Sequence, residues 1–299
     1  MDVEIVKQNG QSFRLSDYGV VQDFVVHSID RSVVRDPIDG RSGLQDYGVE
    51  IGDRTIEVPM IFKAADLHDY AHLRDELYGI LDDSEPFYIR EMRRPKALQY
   101  DFVDFGQKPK WEAQTDNEYV NGKQYKVRLN STLTPEQRSL SGEVSIEFVT
   151  SGIPYAESIY TTLELHDSGY SATAEKYGLV DNIDDEKVKY RFTESNFTVY
   201  NAGNVTVQPE SMYLDISISG HSGSKVMIKN KTTGETLEIN VSTNNHVVRQ
   251  KGMNVMVGGI NRFRDTNRRF ISIVPGDNQF EIAGGTFSQC WFDFKYYYK

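Results

Sequence analysis

The chain has 299 residues, one cysteine and a formal net charge of −11, so two domains are the expectation and neither an internal disulfide nor a cysteine-based zinc site is available. The acidic balance argues against gripping nucleic acid, which takes a cationic surface that releases counterions from the phosphates, and suits a conduit through which DNA slides without sticking. A hydrophobic fraction of 38% is too high for disorder, no apolar run approaches the roughly 20 residues that span a bilayer, and MDVEIVKQNG has neither the basic region nor the apolar core of a signal peptide, so synthesis in the cytosol is expected.

In chain order, Glu4 to Lys7 and Ser12 to Leu15 flank Asn9-Gly10, a pair that readily takes the positive φ angles of a tight hairpin turn. Phe24 to Val34 predicts a longer strand, Asp36-Pro37 with Gly40 and Gly43 a loop, and Gln45 to Ile51 the next strand. Ile56, Val58, Met60 and Phe62 then alternate with Thr55, Glu57 and Pro59, the period of a half-buried strand. Proline has no N–H to give to a ladder, so this strand is expected at an edge or a bulge. Leu67, Tyr70, Leu73, Leu77, Ile80 and Leu81 follow at helical spacing behind Asp66, a residue suited to cap the first turn, and they form the one convincing amphipathic helix of the sequence.

Strands resume at Phe87 to Arg90 and, past a turn at Arg93 to Lys96, at Leu98 to Phe102. Gly106 to Gly142 is polar, with Trp111 in one strand-like piece and Tyr125, Val127 and Leu129 alternating in another; an extended projecting hairpin and two ordinary strands are both open. Glu143 to Thr150 alternates cleanly, and Ser151-Gly152 with Pro154 marks a boundary, giving domains of residues 1–152 and 153–299. Beyond it, short strands separated by turns every eight to twelve positions or so have the spacing of a sandwich. They are expected at Tyr160 to Leu165, Val188 to Phe192, Phe197 to Tyr200, Tyr213 to Ser219, Lys225 to Asn230, Thr236 to Val241, His246 to Arg249, Ile271 to Val274, Phe280 to Ala283 and Phe287 to Tyr298, with Thr233-Gly234 and Gly276-Asp277 at hairpin tips. Ser168 to Asp185 has no clear pattern beyond turn positions at Gly169 and Gly178.

Chemistry-bearing patterns are sparse. His68 and His72 are four apart on the helix, a spacing that lets two imidazoles reach one metal, but the sequence lacks the glutamate after the first histidine that makes a metalloprotease base, and a solvated helix face is the plainer reading. Asp181, Asp184, Asp185 and Glu186 cluster without the alternating ligands and turn glycine of a calcium loop. No Gly-x-Ser-x-Gly elbow or phosphate-binding loop occurs, and Cys290, between Gln289 and Trp291 in an expected strand, reads as a buried thiol. Arg262, Arg264, Arg268 and Arg269, with Phe263 and Phe270 between them, form the one basic run of the second half, either a binding loop or a solvated loop paired with nearby acids. Five Asn-x-Ser/Thr triplets, at Asn130, Asn196, Asn204, Asn230 and Asn240, are discounted as glycosylation sites for want of a signal peptide.

The order of elements in Arg54 to Phe105 resembles the amino-terminal domain of the distal tail proteins of long-tailed bacteriophages. NAGNVTVQPESMYLDISISG at Asn201 to Gly220, KNKTTGETLEI at Lys229 to Ile239, VPGDNQFEI at Val274 to Ile282 and the ending WFDFKYYYK agree with it, so the likeness covers nearly the whole chain, least in Gly106 to Ser141. It implies a mainly β fold, with a ring-forming first domain carrying one helix and a galectin-like or carbohydrate-module-like sandwich after it. In function it implies a structural, non-enzymatic protein of the virion tail tip, without a cofactor, that closes into a ring, as a hexamer, between the tail-tube protein and the baseplate or tail-fibre proteins. The ring contact is then expected at Ile56, Val58, Pro59, Met60, Phe62, Trp111 and Tyr125, with residues 106–142 as a belt-like arm. The alternative is a carbohydrate-binding module or glycan-cleaving enzyme at the host surface, with Trp111, Trp291 or surface tyrosines stacking on host glycans.

Overall fold

In the computed structural model, which describes residues 1–92 and 122–299, the alternation that centres the first half becomes the strand Thr55–Lys63, whose inward residues Ile56, Val58, Met60 and Phe62 are fully buried. The strands in chain order here are β1 Asp2–Val6, β2 Ser12–Arg14, β3 Val20–Val21, β4 Val25–Val26, β5 Arg31–Pro37, β6 Leu44–Ile51, β7 Thr55–Lys63, β8 Phe87–Met92, β9 Lys123–Leu129, β10 Glu136–Arg138 and β11 Ser141–Thr150, with helix α1 at Leu67–Leu81. Antiparallel pairing runs β2-β1-β8-β9-β11-β7-β3, with β4 also on β7 and β10 on β11. The buried residues of β7 face their counterparts on β11 in register: Ile56 opposite Phe148, Val58 opposite Ile146, Met60 opposite Val144 and Phe62 opposite Gly142.

That last pair fixes the helix. A Cβ on Gly142 would lie 2.4 Å from the Phe62 ring and 2.7 Å from the Tyr70 hydroxyl, so only glycine lets the ring lie across β11. Phe62 in turn meets Tyr70 of α1 at a ring separation of 5.3 Å. Asp66 caps the helix, its carboxylate accepting from the N–H groups of His68 and Asp69 at 2.8 Å each. Tyr70, Leu77, Ile80 and Leu81 are buried and Leu73 packs against them, whereas Leu67 stays exposed in the first turn.

Pro59 sits neither at an outer edge nor at a bulge, as its missing N–H led us to expect. β7 is paired on both sides, with Ser145 of β11 opposite Pro59 on one and with β3 and β4 on the other. The Pro59 carbonyl accepts from Gln22 N–H at 2.9 Å, and because a residue's N–H and C=O point to the same side of an antiparallel strand, the missing donor faces the gap between β3 and β4. Phe24 to Val34, expected as one strand, is interrupted between Val26 and Arg31. Tyr125, Val127 and Leu129 belong to β9, an inner strand paired with β8 and β11, and so are not part of a projecting arm. Trp111, Leu98 to Phe102 and the turn at Arg93 lie outside the described residues.

The chain divides into two compact units, Met1–Pro154 and Tyr155–Lys299. The second contains β12 Ala156–Ser158, α2 Thr162–Ser168, α3 Tyr170–Tyr177, β13 Arg191–Phe192, β14 Asn196–Asn201, β15 Leu214–Ser219, β16 Val226–Asn230, β17 Thr236–Ile239, β18 Val248–Lys251, β19 Asn254–Val257, β20 Ile260–Asn261, β21 Gly276–Ala283, β22 Gln289–Phe294 and β23 Tyr297–Tyr298. One sheet is ordered β13-β22-β15-β18-β19-β20 and the other β14-β21-β16-β17. They face each other across an aromatic layer in which Phe292 of the first meets Phe280 and Phe197 of the second at 4.6 and 5.7 Å.

The stretch Tyr160 to Leu165, expected as a strand, is instead the entry to α2. The Thr161 hydroxyl caps it by accepting from Glu164 N–H at 3.3 Å, and Gly169, at φ 86°, ends it. The patternless stretch after it holds α3, which ends at Gly178, so α1 is not alone. Val188 to Lys189 stay outside β13, Ile271 to Val274 contribute only a single bridge, from Ile273 to Val207, and Gly276-Asp277 open β21 rather than forming a hairpin tip.

Candidate functional site

The residues expected to form an interface are largely internal. Ile56, Val58, Met60 and Phe62 are sealed in the first unit's core and Pro59 lies in a strand paired on both sides. Tyr125 is half-buried, its ring 6.3 Å from Phe24 and 6.0 Å from the Arg54 guanidinium, and burial pushes its hydroxyl pKa up. Of these, Ile56, Val58, Met60 and Phe62 are covered within their own unit, whereas Tyr125 is partly accessible. The outer strands of the sheet, β2 and β3, are three and two residues long, which blunts its edges.

The free edge lies elsewhere. Among the described residues, β5 and β6 pair only with each other, as a two-stranded sheet. Asp30 anchors its base, accepting from Gly52 N–H and donating to the Asp53 carbonyl, both at 2.9 Å. Register runs from Arg31 opposite Ile51 through Val33 opposite Val49 to Pro37 opposite Leu44, with an irregularity between Val33 and Arg35. Every residue of β6 is exposed, and of β5 all but Val34. Val33, Val49, Ile51, Leu44 and Tyr47 are 47 to 62% exposed. Val33, Val49 and Ile51 share one face, because their cross-strand partners alternate in step. A lone two-stranded hairpin is marginal in water, and this one has no strand partner on either outer edge among the described residues and presents a row of apolar side chains. Sequence reasoning placed strands on both sides of Gly40 and Gly43 but did not single them out as a surface; the available signal was apolar residues in two neighbouring strands.

The remaining candidates are scattered. His68 and His72 meet edge-on, ring centres 5.1 Å apart, on the exposed side of α1, and no third metal-ligating group gathers with them among the described residues. Asp184 caps a short turn by accepting from Glu186 N–H at 3.2 Å, and the backbone carbonyl of Asp181 accepts from the Tyr298 hydroxyl at 2.8 Å. Cys290 is fully buried, which pushes its thiol pKa far up and keeps it un-ionised. Trp291 is half-buried on the opposite face of β22 from Phe292, between Arg191 and Ser217.

Residues 8–150 match the family described as phage tail protein RIFT-related domain. The matched segment takes in strands β2 to β11, with the exposed hairpin, and α1. Over the whole chain the fold is similar to that of the Dit protein of phage SPP1, described as a paradigm of the hub adsorption apparatus in phages infecting Gram-positive bacteria, with 14% identity, a TM-score of 0.64 and coverage of 98% of this chain and 99% of that one. The resemblance to distal tail proteins read from the order of residues is met by the domain family and by the fold. Two structures of the phage p2 baseplate in its activated conformation, with strontium and with calcium, align at 10 and 9% identity over 98 and 99% of this chain and 97% of theirs, at TM-scores of 0.43 and 0.40, too low to carry an argument. No curated protein matches the chain.

Proposed function

We propose that this protein is a structural component of a phage tail tip, in which copies of the first unit close into a ring, a hexamer, joining the tail tube to baseplate or tail-fibre proteins. The observation that carries the reading is the β5–β6 hairpin. Its unpaired edges and the face of Val33, Val49 and Ile51 are what a neighbouring copy would cover. A head-to-tail contact that closes on itself satisfies every copy without open-ended growth. Burying those side chains contributes at most about 1.5–3 kcal/mol each, while the net charge of −11 opposes assembly. The phage tail domain family and the hub description of the SPP1 protein support the same reading.

Multi-angle light scattering at several protein and salt concentrations tests this. Mass should rise in discrete steps toward a closed oligomer as salt screens the charge, and the double variant V33D/V49D should remain a monomer. A wild-type chain that stays monomeric at high concentration and high salt, and that also fails to assemble with its tail-tube partner, would overturn the ring.

A further inference from the structure

The basic run of the second unit is not neutralised by acids. Arg262 approaches Asp265 at 3.6 Å, but Arg264, Arg268 and Arg269 are exposed with no carboxylate at ion-pair distance among the described residues. On a chain of net charge −11, unpaired cations side by side require an explanation.

The loop that presents them is held rigidly. Asn267 extends the outer side of β17: its side-chain amide donates to the Thr236 carbonyl at 2.8 Å, its N–H to the Glu238 carbonyl at 3.1 Å, and its side-chain oxygen accepts from Glu238 N–H at 3.2 Å. Arg268 stands in the left-handed region at φ 58°, with its N–H donated to the Thr266 hydroxyl at 3.0 Å. For a residue other than glycine that conformation costs about 1–2 kcal/mol, and such strain tends to persist where it has a use. Phe263 and Phe270 stack beneath, ring centres 5.8 Å apart and 6° from parallel.

Arg268, Arg269 and Phe270 line a cleft of about 530 Å³ that Glu210 and Glu235 also line. One oxygen of Glu235 takes the N–H and hydroxyl of Ser272, each at 2.7 Å, and the Thr233 hydroxyl at 3.1 Å, which leaves its other oxygen available. The cleft therefore offers both signs of charge and an aromatic surface. A polyanion carrying phosphate at every unit would meet two carboxylates as well as two arginines. A peptide carries carboxylates for the guanidinium forks, amide N–H groups for the glutamates and an apolar side chain for Phe270.

We propose that this cleft binds an acidic peptide segment, supplied by a neighbouring tail protein if the tail-tip reading holds, with its carboxylate held by Arg268 and Arg269. The test is fluorescence anisotropy on the full chain with a short labelled peptide of alternating aspartate and leucine, at about 50 and 150 mM salt. The peptide should bind, more weakly at the higher salt, and R268A/R269A should weaken it by roughly tenfold or more while leaving the melting temperature in place. R268K/R269K, which keeps the charges and loses the planar forks, should fall between the two.

No binding by the wild-type chain, or equal binding by R268A/R269A, overturns the proposal. So does preferential binding of inorganic polyphosphate, which would make the cleft a general polyanion site, and so does equal binding of a peptide of alternating asparagine and leucine. Light scattering on R268A/R269A keeps this separate from the ring: loss of self-association would make a second copy the occupant and sink the peptide, whereas intact assembly with lost peptide binding supports it. Failure of the ring reading leaves the anisotropy result standing.

Discussion

The hairpin of the first unit and the closing strand of the second carry the same kind of residue in the same alternation, yet Val33, Val49 and Ile51 stay about half exposed while Cys290, Phe292 and Phe294 are fully buried. The difference lies in what each strand faces. β22 is hydrogen-bonded on both sides, to β13 and β15, and its inward face meets the second sheet through Phe292. Among the described residues, β5 and β6 have only each other as strand partners. Alternation is thus a statement about the strand itself; whether its apolar face serves the fold or an assembly depends on the strands around it.

The largest effect expected from breaking this contrast is at Phe292, which touches Phe192, Phe197 and Phe280. Phe292→Ala leaves a cavity among three rings and should cost about 3–5 kcal/mol, a fall in melting temperature on the order of 10 °C. The hairpin variant V33D/V49D, measured the same way as a monomer, should change stability by no more than about 0.5 kcal/mol per site, as exposed positions do. A drop of comparable size in both would mean that the hairpin is packed within its own chain, and the contrast would fail.

The physical reasons for what the sequence did and did not disclose are local. α1 was legible because Asp66 and the spacing from Tyr70 to Leu81 act within a few turns, and the sandwich because turn residues separate its strands. Tyr160 to Leu165 was misread because Thr161 and Thr162 are β-branched beside a tyrosine, a local strand signature, while the cap at Thr161 and the stop at Gly169 signify a helix only when read together. Pro59 was misplaced because its missing donor can face a gap between two short strands as well as solvent, and the lengths of β3 and β4 are not legible from β7. The exposed hairpin was visible as strands and invisible as a surface, since exposure depends on partners that sequence spacing does not reveal. The basic loop is legible in the sequence, but that Arg264, Arg268 and Arg269 have no acid partner among the described residues is set by the fold.

A smaller effect, of opposite sign, is expected inside the second unit. Gln250 points inward from β18, 1% exposed, opposite Ile216 and Val255, and neither atom of its amide has a protein partner. Methionine keeps its length and removes both polar atoms. Gln250→Met should therefore raise stability by about 1–3 kcal/mol in a denaturant melt. A neutral or destabilising result would mean that ordered water satisfies the amide, and would make this buried polar group part of the fold's specification.

The smallest effect concerns a buried imidazole and is read by changing pH alone. His221 is fully buried, its Nδ1 2.9 Å from the Thr243 hydroxyl, which itself donates to the His221 carbonyl at 2.6 Å. With the threonine's one proton spent on that carbonyl, Nδ1 must be the donor, and Nε2 is left bare and without a partner. Gly223 and Gly285 close over the ring so tightly that a Cβ on either would lie within 3 Å of it, and a proton added at Nε2 would have no acceptor. Burial accordingly lowers the His221 pKa below its ordinary value of 6.5. The folded chain then holds fewer protons than the unfolded chain once pH falls below about 6.5, so stability declines from there downward to the folded-state value and is unaffected above it. The carboxylates held below their ordinary value of 3.8, Asp167 by the Arg191 hydrogen bond and Asp83 by the Glu85 N–H, act only in a lower window. Denaturant melts between about pH 7.5 and 5 should show a shallow loss that begins near the unfolded histidine value; a flat profile would mean that this imidazole accepts its proton in the folded protein, and that the packing of Gly223 and Gly285 around it yields to charge.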